Sequence, residues 1–443
     1  MIDPADSLVY GHLWATDETR ELLGDRGRTR AWLRIIGELA TAQGELGLIP
    51  EAAAREIAAH AGAELDLAVV GEETRRSGHS ILGLIRVLQR ELSAGAREWV
   101  CHGLTVQDVT DTWTALVMVR MLAIAERDLG QIQGSLLGLA ERHRGTVMLG
   151  RTHGQPGLPI TFGFKAAVWA AELARHRERL AQARPRLAVG QLAGAVGTLS
   201  AWGGQGLELQ RRVLERVGLD VPEIGWTSAR DRVAEFATLL ALVSGTLGKI
   251  GNEIYNLQRA EIAELAEAPD DGVVGSITMP QKRNPERSEH LWTLARVVRS
   301  QADLAIEGLV AEHERDGAAW KTEWVLVPRA SAATAAALAL AVELVGGLQV
   351  DAERMRANVD AQRGYVLAEP VVLALAPSVG HRRAHELVRD VSLRGRERGW
   401  TLLEALAADP AVTEHLPLAR LEALLRAEPA LDDQIDRVLR PGP

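Results

Sequence analysis

Residues Asp231–Glu261 read DRVAEFATLLALVSGTLGKIGNEIYNLQRAE, and this stretch has the clearest periodicity in the sequence. Its apolar residues form two sets that each repeat every seven positions, namely Val233, Leu240, Leu247 and Ile254, and Phe236, Val243, Ile250 and Leu257. On a helix these are the a and d positions of successive heptads, and they form one continuous apolar face. Such a helix buries its face against other helices, so the stretch predicts a helical bundle.

Two further features support long, closely packed helices. Gly245, Gly248 and Gly251 lie three apart within the periodic stretch, and we expect them to let a neighbouring helix approach closely. Upstream, residues 108–142 are rich in Leu, Ala, Val, Arg and Glu, with only glycines as weak helix formers. This segment predicts one very long helix.

The rest of the chain also favours helices. Aromatic residues make up 4% of it, and short alternating runs of Val, Ile and Thr are nearly absent. We predict an all-α fold with three helical domains. They are an N-terminal domain at residues 1–105, a central bundle of long helices at 106–347 and a C-terminal domain at 348–443.

Composition and charge exclude several classes of protein. The 443 residues include 50 Lys and Arg against 59 Asp and Glu, and the formal charge of -9 disfavours nucleic-acid binding. No uncharged apolar run of about 18 or more residues predicts a membrane span, and the N-terminus lacks the pattern of a secretion signal. Because Cys101 is the single cysteine, no internal disulfide forms, and we expect a cytoplasmic protein.

Residues 270–285 form the least ordinary stretch for a helical chain. Within it, Gly-Ser-Ile-Thr-Met-Pro-Gln-Lys-Arg-Asn-Pro at positions 275–285 interrupts two long helical segments and contains Lys282, one of only four lysines. The two prolines predict a loop. The alternative to a chemical role is a plain connection, in which Asn284 caps the next helix and Pro285 takes its first position.

Three stretches together resemble a known family. Residues 275–285 fit Gly-Ser-x-x-Met-Pro-x-Lys-x-Asn-Pro, which resembles the signature loop of the fumarase/aspartase superfamily. Residues 150–156 (Gly-Arg-Thr-His-Gly-Gln-Pro) and residues 103–112 are similar to two further motifs of that superfamily, in the same order. The resemblance implies an enzyme that eliminates a group from a substituted succinate to release fumarate. It also implies a homotetramer whose central helices form one bundle and whose active sites each combine three subunits.

The resemblance further implies roles for residues of these motifs. Ser276 is the base that acts as an alkoxide, while Lys282 and Asn284 hold the carboxylate on which charge develops. Removing a proton beside a carboxylate produces an aci-carboxylate with two negative oxygens, so clustered donors and a positive charge are needed. His153 assists as a proton donor or a carboxylate anchor, and Thr152 beside it binds substrate.

Further candidates for substrate binding lie outside the loop. Thr105 and Gln107 offer donors just before a predicted helix, where unpaired N–H groups favour an anion, although plain helix capping is the alternative. His79 lies where purine-pathway lyases of the superfamily carry a His-Asp pair, but Ser80 replaces the Asp, which leaves substrate contact and capping open. Arg230 resembles a basic residue that binds a carboxylate, with an ordinary salt bridge as the alternative.

We predict neither a metal ion nor a cofactor. His381 and His385 lie four apart on a predicted helix, which is a spacing of metal ligands, but no third ligand accompanies them. The sequence also contains no glycine-rich motif with the spacing of a nucleotide-binding loop.

The resemblance to subfamilies bears on the leaving group. Residues 312–324 resemble 3-carboxy-cis,cis-muconate cycloisomerases, whereas residues 151–258 are more similar to adenylosuccinate lyase. Residues 317–324 lack the Ser and Arg that bind the nucleotide phosphate in adenylosuccinate lyases, which disfavours a purine substrate. We predict a small nitrogen leaving group, such as an amine or nitrite. The cycloisomerase is the alternative, followed by adenylosuccinate lyase or a non-catalytic structural homologue.

Overall fold

The structure is a computed structural model that describes residues 3–269 and 278–440. These residues form twenty α-helices, three short 3-10 helices and two small antiparallel sheets. The prediction of an all-α fold is confirmed, because helices account for nearly all of the regular structure. The division into three domains at residues 105 and 347 stays a prediction.

Helices occupy most of the described chain. Seven precede the central part of the sequence: α1 (Gly11–Trp14), α2 (Asp17–Leu23), α3 (Asp25–Glu45), α4 (Glu51–His60), α5 (Leu67–Ser77), α6 (Leu82–Arg90) and α7 (Ala94–Arg97). The central helices are α8 (Val106–Arg142), α9 (Phe162–Leu187), α10 (Gly206–Val217), α11 (Asp231–Leu257), α12 (Glu286–Glu307) and α13 (Gly317–Gly346). The C-terminal helices are α14 (Ala352–Asp360), α15 (Ala368–Val379), α16 (His381–Glu397), α17 (Leu402–Ala407), α18 (Pro410–Thr413), α19 (Leu418–Leu424) and α20 (Asp432–Leu439).

Helix α11 covers the heptad stretch and confirms its apolar face. All of the heptad residues from Val233 to Leu257 are at most 1% exposed. Polar contacts join the same helix to two neighbours: His176 Nε2 lies 2.8 Å from Thr246 Oγ1, and Ser244 Oγ lies 3.3 Å from Thr334 Oγ1. Helix α11 therefore packs against α9 and α13, as expected for a bundle helix.

The expected close approach occurs at Gly248 of α11. A Cβ at Gly248 would lie 2.7 Å from the Cβ of Ala295 on α12, which is closer than real Cβ contacts. A Cβ at Gly245 would meet no described atom of the same chain within 4 Å, so close packing at that position stays a prediction. Gly248 thus lets α11 and α12 lie close together.

The longest helices belong to the interior. Helix α8 runs from Val106 to Arg142, which confirms the prediction of one very long helix. Helices α11 and α13 are long and apolar enough to cross a membrane by length and composition. In each of them, 67% of the most apolar window is buried inside the structure, which is typical of core helices. We therefore regard both as core helices of the folded chain.

Two compact units account for the described residues. The first comprises residues up to 129, 175–249 and 290–340, and the second comprises 130–174, 250–289 and the residues from 341 onwards. In the first unit, α3 packs against α4 and α10. In the second, the C-terminal helices enclose a separate apolar core with buried Val371, Leu375, Val388, Leu402 and Leu406.

A β-hairpin, which the sequence pattern did not predict, lies in the second unit. Strand β1 (Val147–Thr152) pairs antiparallel with β2 (Gln155–Thr161), and a bulge follows Leu149. A shorter ladder joins β3 (Leu265–Ala266) to β4 (Gln349–Val350). The hairpin escaped prediction because β1 has a short apolar run and β2 contains two prolines, which both weaken a strand signal.

Candidate active site

His153 lies at the tip of the β1–β2 hairpin. Thr152 pairs with Gln155, so His153 and Gly154 form a two-residue turn between the strands. Their φ angles are 53° and 73°, and this left-handed conformation is typical of the turn that suits a hairpin best. Glycine adopts it freely, but histidine is strained there. The structure therefore presents an exposed His153 in a strained conformation, which is typical of functional residues, and an exposed Thr152 beside it at the end of β1.

A buried ion pair orients this hairpin. The guanidinium of Arg151, next to Thr152, donates two hydrogen bonds of 2.6 and 2.9 Å to the carboxylate of Glu264. Glu264 is fully buried, and Asn358 Nδ2 on α14 donates to its Oε1 at 2.8 Å. Because both oxygens are paired, the ion pair fixes the end of β1 and hence the turn that carries His153.

The described part of the signature loop lies just before α12. Lys282 is exposed, and its backbone N–H donates to Met279 O at 3.0 Å. Asn284 is partly buried, and its Nδ2 donates to Glu286 Oε1 at 3.3 Å. Ser276, the predicted base, lies outside the described residues. No hydrogen bond between described residues joins Lys282 or Asn284 to the pair of predicted residues on the hairpin.

The start of α12 is capped by a residue from the far side of the loop. Glu267 accepts the backbone N–H of Ser288 at 2.9 Å and that of Arg287 at 3.3 Å, and it also accepts Ser288 Oγ–H at 2.6 Å. The alternative in which Asn284 caps this helix is therefore wrong. A carboxylate is stabilised at this position because helix N-termini present unpaired N–H groups. Glu267 thus holds the two ends of the loop together.

Thr105 and Gln107 lie at the start of α8 in the first unit. The backbone N–H of Thr105 donates to Asp108 Oδ2 at 3.1 Å, which is a capping contact. Gln107 is fully buried, and its Nε2 donates to Asp111 Oδ2 at 3.1 Å and to Thr227 O at 2.9 Å. Both amide protons of Gln107 are thereby used, which favours the structural alternative for this residue over a substrate contact.

Asp108 is a buried acid that the sequence analysis did not single out. Its carboxylate accepts backbone N–H groups of Ala193 at 2.9 Å and Gly194 at 3.0 Å, besides that of Thr105. Burial raises the pKa of Asp108 to about 6, although the backbone hydrogen bonds lower it in part. The residue joins the start of α8 to the segment that follows α9.

Arg230 forms a buried triad with two carboxylates. It is 3% exposed, and its Nη1 donates to Asp111 Oδ2 at 2.8 Å while its Nε donates to Glu323 Oε1 at 2.8 Å. Asp111 also accepts from Gln107, so the structure brings these two predicted residues together. Burial raises the pKa of Glu323, against the hydrogen bond from Arg230. A guanidinium committed to two carboxylates favours the salt-bridge alternative for Arg230 over binding of a substrate carboxylate.

A cavity of about 330 Å³ adjoins this triad in the first unit. Asp111 and Glu323 line it, together with Thr110 on α8 and Ser80, which follows the exposed His79. Trp320 Nε1 donates to Thr110 Oγ1 at 3.1 Å and closes part of its wall. The structure thus brings the loop of His79 to the beginning of α8. The sequence analysis did not predict this cavity, because its lining residues come from distant segments of the chain.

The histidine pair on α16 gains no metal-binding partner among the residues that the structure describes. His381 and His385 are both exposed on the first two turns of that helix. Within residues 3–269 and 278–440, no group of three or more His, Cys, Asp or Glu side chains could hold a metal ion. The prediction of a reaction without metal or cofactor stays a prediction.

Comparison with known proteins decides the family. A family model described as lyase matches residues 13–300, and one described as adenylosuccinate lyase C-terminus matches residues 364–438. The chain belongs to the fumarase/aspartase superfamily. This result confirms the resemblance of the three motifs, and it places the His153 hairpin and α8 inside the matched region of a superfamily lyase.

Relatives within the fumarase/aspartase superfamily differ in the reactions for which they are named. N-acetyl-S-(2-succino)cysteine lyase of Dickeya dadantii is 39% identical over 98% of this chain and 96% of its own. The 3-carboxy-cis,cis-muconate cycloisomerase of Pseudomonas aeruginosa is 38% identical over 95% of this chain and 93% of its own. The crystal structure of fumarate lyase from Mesorhizobium sp. BNC1 superimposes with a TM-score of 0.89 at 36% identity, covering 96% of this chain and 98% of that chain.

Proposed function

We propose that this superfamily lyase eliminates a thiol from a 2-thio-substituted succinate and releases fumarate. The similarity to N-acetyl-S-(2-succino)cysteine lyase, which spans 98% of the chain, supports sulfur as the leaving atom. A nitrogen leaving group, which the sequence analysis favoured, is the second candidate because the adenylosuccinate lyase C-terminus model matches residues 364–438. The muconate cycloisomerase is the third candidate, supported by a relative of 38% identity.

In the proposed mechanism, Ser276 as an alkoxide removes a proton from the methylene carbon beside a carboxylate. The electron pair moves into that carboxylate, and Lys282 and Asn284 stabilise the resulting aci-carboxylate. The electrons then return to form the double bond of fumarate while the carbon–sulfur bond breaks. The sulfur leaves with the bond pair and takes a proton from His153. Thr105 and Thr152 hold the substrate carboxylates.

The similarity to N-acetyl-S-(2-succino)cysteine lyase carries the proposal of a thiol leaving group, and the backbone of His153 supports the acid role of this residue. A φ of 53° at an exposed turn costs a histidine free energy that a glycine avoids, which supports a role for the imidazole at this position. Imidazole exchanges a proton near neutral pH, as a general acid must. The ion pair between Arg151 and Glu264 holds the end of the strand that leads to this residue.

We further propose a cytoplasmic homotetramer whose active sites each combine three subunits, with no nucleic-acid or membrane partner. Apolar side chains on three long helices support self-association. Leu242 on α11 is 47% exposed, and Trp292 on α12 and Val325 on α13 are each 45% exposed. Exposed apolar side chains of this size are typical of surfaces that bind another protein copy.

The decisive experiment measures fumarate by ultraviolet absorbance and free thiol by a colorimetric reagent. The substrates are N-acetyl-S-(2-succino)cysteine, aspartate, nitrosuccinate, adenylosuccinate and 3-carboxy-cis,cis-muconate. We expect equal amounts of fumarate and thiol from the first substrate. Ser276→Ala should abolish both products, while circular dichroism and the oligomeric state stay unchanged.

Each alternative outcome has a defined meaning. Fumarate from aspartate or nitrosuccinate without thiol release from the thioether would establish the nitrogen leaving group. Conversion of carboxymuconate alone would establish the cycloisomerase and remove the acid role of His153. Undiminished turnover by Ser276→Ala would show that another residue is the base.

A further inference from the structure

Two glutamates flank strand β3, and each contacts a different motif of the candidate site. Glu264 precedes the strand and pairs with Arg151 of the hairpin, whereas Glu267 follows the strand and caps α12. The strand is held by its ladder to β4, and the backbone N–H of Asp351 donates to Glu264 O at 3.0 Å. Three residues span at most about 11 Å of chain, so one short anchored segment contacts both the hairpin and the end of the signature loop.

Glu267 uses both carboxylate oxygens on the first turn of α12. Its Oε1 accepts the backbone N–H of Ser288 at 2.9 Å and Ser288 Oγ–H at 2.6 Å, while its Oε2 accepts the N–H of Arg287 at 3.3 Å. Ser288 is fully buried, and the backbone N–H of Glu267 donates to Gln258 Oε1 at 2.7 Å. In return, Arg287 Nη1 donates to Ala268 O at 3.2 Å. These contacts join the two chain segments from both sides.

The same contacts exclude a direct role of Glu267 in substrate binding. The N–H groups at the start of a helix often bind anions, but at α12 the carboxylate of Glu267 already accepts those of Arg287 and Ser288. A substrate carboxylate at the same place would also be repelled by this carboxylate. Glu267 therefore acts on the reaction only through the residues that it holds.

Lys282 and Asn284 depend on this cap for their position. They lie four and two residues before Glu286, the first residue of α12. Among the described residues, their hydrogen bonds reach only Met279 and Glu286, which belong to the same short stretch. The next anchor along the chain is the contact of Glu267 with α12.

We propose that Glu267 is a positioning residue for the elimination, because it fixes the start of α12 and thereby places Lys282 and Asn284 on the carboxylate that accumulates charge. The inference rests on the roles that the proposed function gives to these two residues. Donors that stabilise a developing charge must be held in place before the reaction, and a shift of about 1 Å can cost about 100-fold in rate. Because the charge develops only after the proton is removed, the loss of Glu267 should lower kcat far more than it raises KM.

The test compares kcat and KM of the wild type and Glu267→Gln, with the substrate that releases fumarate in the experiment above. The amide keeps the size of the side chain but loses one of the two acceptor oxygens. We expect kcat to fall at least about tenfold while KM changes less than about twofold. Asp351→Asn is the matched control, because Asp351 caps α14 in the same unit by accepting Arg354 N–H at 2.8 Å. This control should leave both kinetic constants unchanged.

A second variant keeps the test decisive if Glu267→Gln does not fold. Ser288→Ala removes one of the three hydrogen bonds to the Glu267 carboxylate and leaves both backbone N–H donors in place. We expect kcat to fall about fivefold at unchanged KM, as for the loss of one hydrogen bond. An unchanged kcat in the variant that folds would overturn the inference.

Binding without turnover separates this inference from the proposed function. The nitronate of 3-nitropropionate spreads a negative charge over two oxygens, as the aci-carboxylate does, whereas succinate resembles the substrate, and neither ligand has a leaving group. Calorimetric titration should show about tenfold weaker binding of the nitronate to Glu267→Gln, and less than about twofold weaker binding of succinate. Equal losses for the two ligands would overturn the inference and make Glu267 a plain helix cap.

Two further outcomes concern the proposed function. If no substrate releases fumarate, the proposed function fails, and the comparison of nitronate with succinate still decides the role of Glu267. If the wild type binds the nitronate no better than succinate, the aci-carboxylate mechanism is refuted, and the inference about Glu267 is refuted with it.

Discussion

At the residue scale, the backbone conformation of His153 lowers the stability of its turn, whereas its imidazole is the proposed general acid. We predict that His153→Gly unfolds with an equal or higher free energy, by up to about 1 kcal/mol, because glycine adopts a positive φ without strain. The same change should lower kcat by about 100-fold or more, since it removes the general acid. Urea denaturation and fumarate release measure the two effects. As a control, Gly154→Ala should destabilise the same turn, where φ is 73°.

A fully active His153→Gly enzyme would argue against the acid role. It would also show that the positive φ of this residue has no role in catalysis. Reduced stability of His153→Gly would instead point to packing of the imidazole in the assembled protein. The two measurements therefore separate the contributions of backbone and side chain.

The buried triad makes a second prediction at this scale. Arg230→Met leaves Asp111 and Glu323 as unpaired buried carboxylates, so we expect a loss of about 3–5 kcal/mol in the free energy of unfolding. Arg211→Met is the matched control, because Arg211 pairs with Glu208 and Glu215 on an exposed surface of α10. It should cost far less, because solvent screens this exposed pair. Similar losses in both variants would show that the triad is exposed to water in solution.

Asp108 adds a pH dependence with a definite sign. Burial raises its pKa from 3.8 to about 6, so between pH 4 and 6 the folded chain keeps a proton that the unfolded chain has released. The stabilising contribution of this group is largest below pH 4 and decreases as pH rises from 4 to 6. Above pH 6 the stability no longer changes with the titration of this group. We expect the stability difference between wild type and Asp108→Asn to fall by about 3 kcal/mol across this window. Thermal unfolding from pH 4 to 8 measures it, and a flat difference would indicate an ordinary pKa.

At the element scale, the contact between α11 and α12 depends on the absence of a side chain. Gly248→Ala places a Cβ 2.7 Å from Ala295, so we expect a loss of about 1–3 kcal/mol from overpacking. Gly245→Ala on the same helix meets no described atom within 4 Å and should stabilise the protein by up to about 1 kcal/mol. Chemical denaturation of the two variants tests the contrast. A loss of stability in Gly248→Ala and a gain in Gly245→Ala would confirm the contrast. A loss in both variants would indicate that Gly245 packs against another subunit.

The elements also show which secondary structure a local sequence pattern can predict. The bounds of α8 lie within two residues of the prediction, because a long helix repeats its signal over many turns. The hairpin was missed, since two short strands with prolines carry little periodic signal. Its position depends instead on Glu264, which is more than a hundred residues away from Arg151 in the chain.

At the scale of the whole molecule, the proposed sharing of active sites predicts complementation between inactive variants. His153→Ala and Ser276→Ala should each lack activity as homotetramers. Tetramers reassembled from an equal mixture should recover about a quarter of wild-type activity, because each residue is intact in half of the subunits and the two come from different chains. Size-exclusion chromatography with activity measurements tests this expectation. Tetramers that mix but stay inactive would place both residues in one chain.

The sequence by itself determined the helical fold class, the superfamily and the motif residues Thr152, His153, Ser276, Lys282 and Asn284. Heptad periodicity and short motifs are local properties, so they can be read without coordinates. Only the tertiary structure decided that Arg230 is buried between Asp111 and Glu323, that Glu267 caps α12, and that tryptophans from distant segments line one cavity. Burial and pairing depend on residues far apart in the chain, and a one-dimensional pattern does not specify which of them meet.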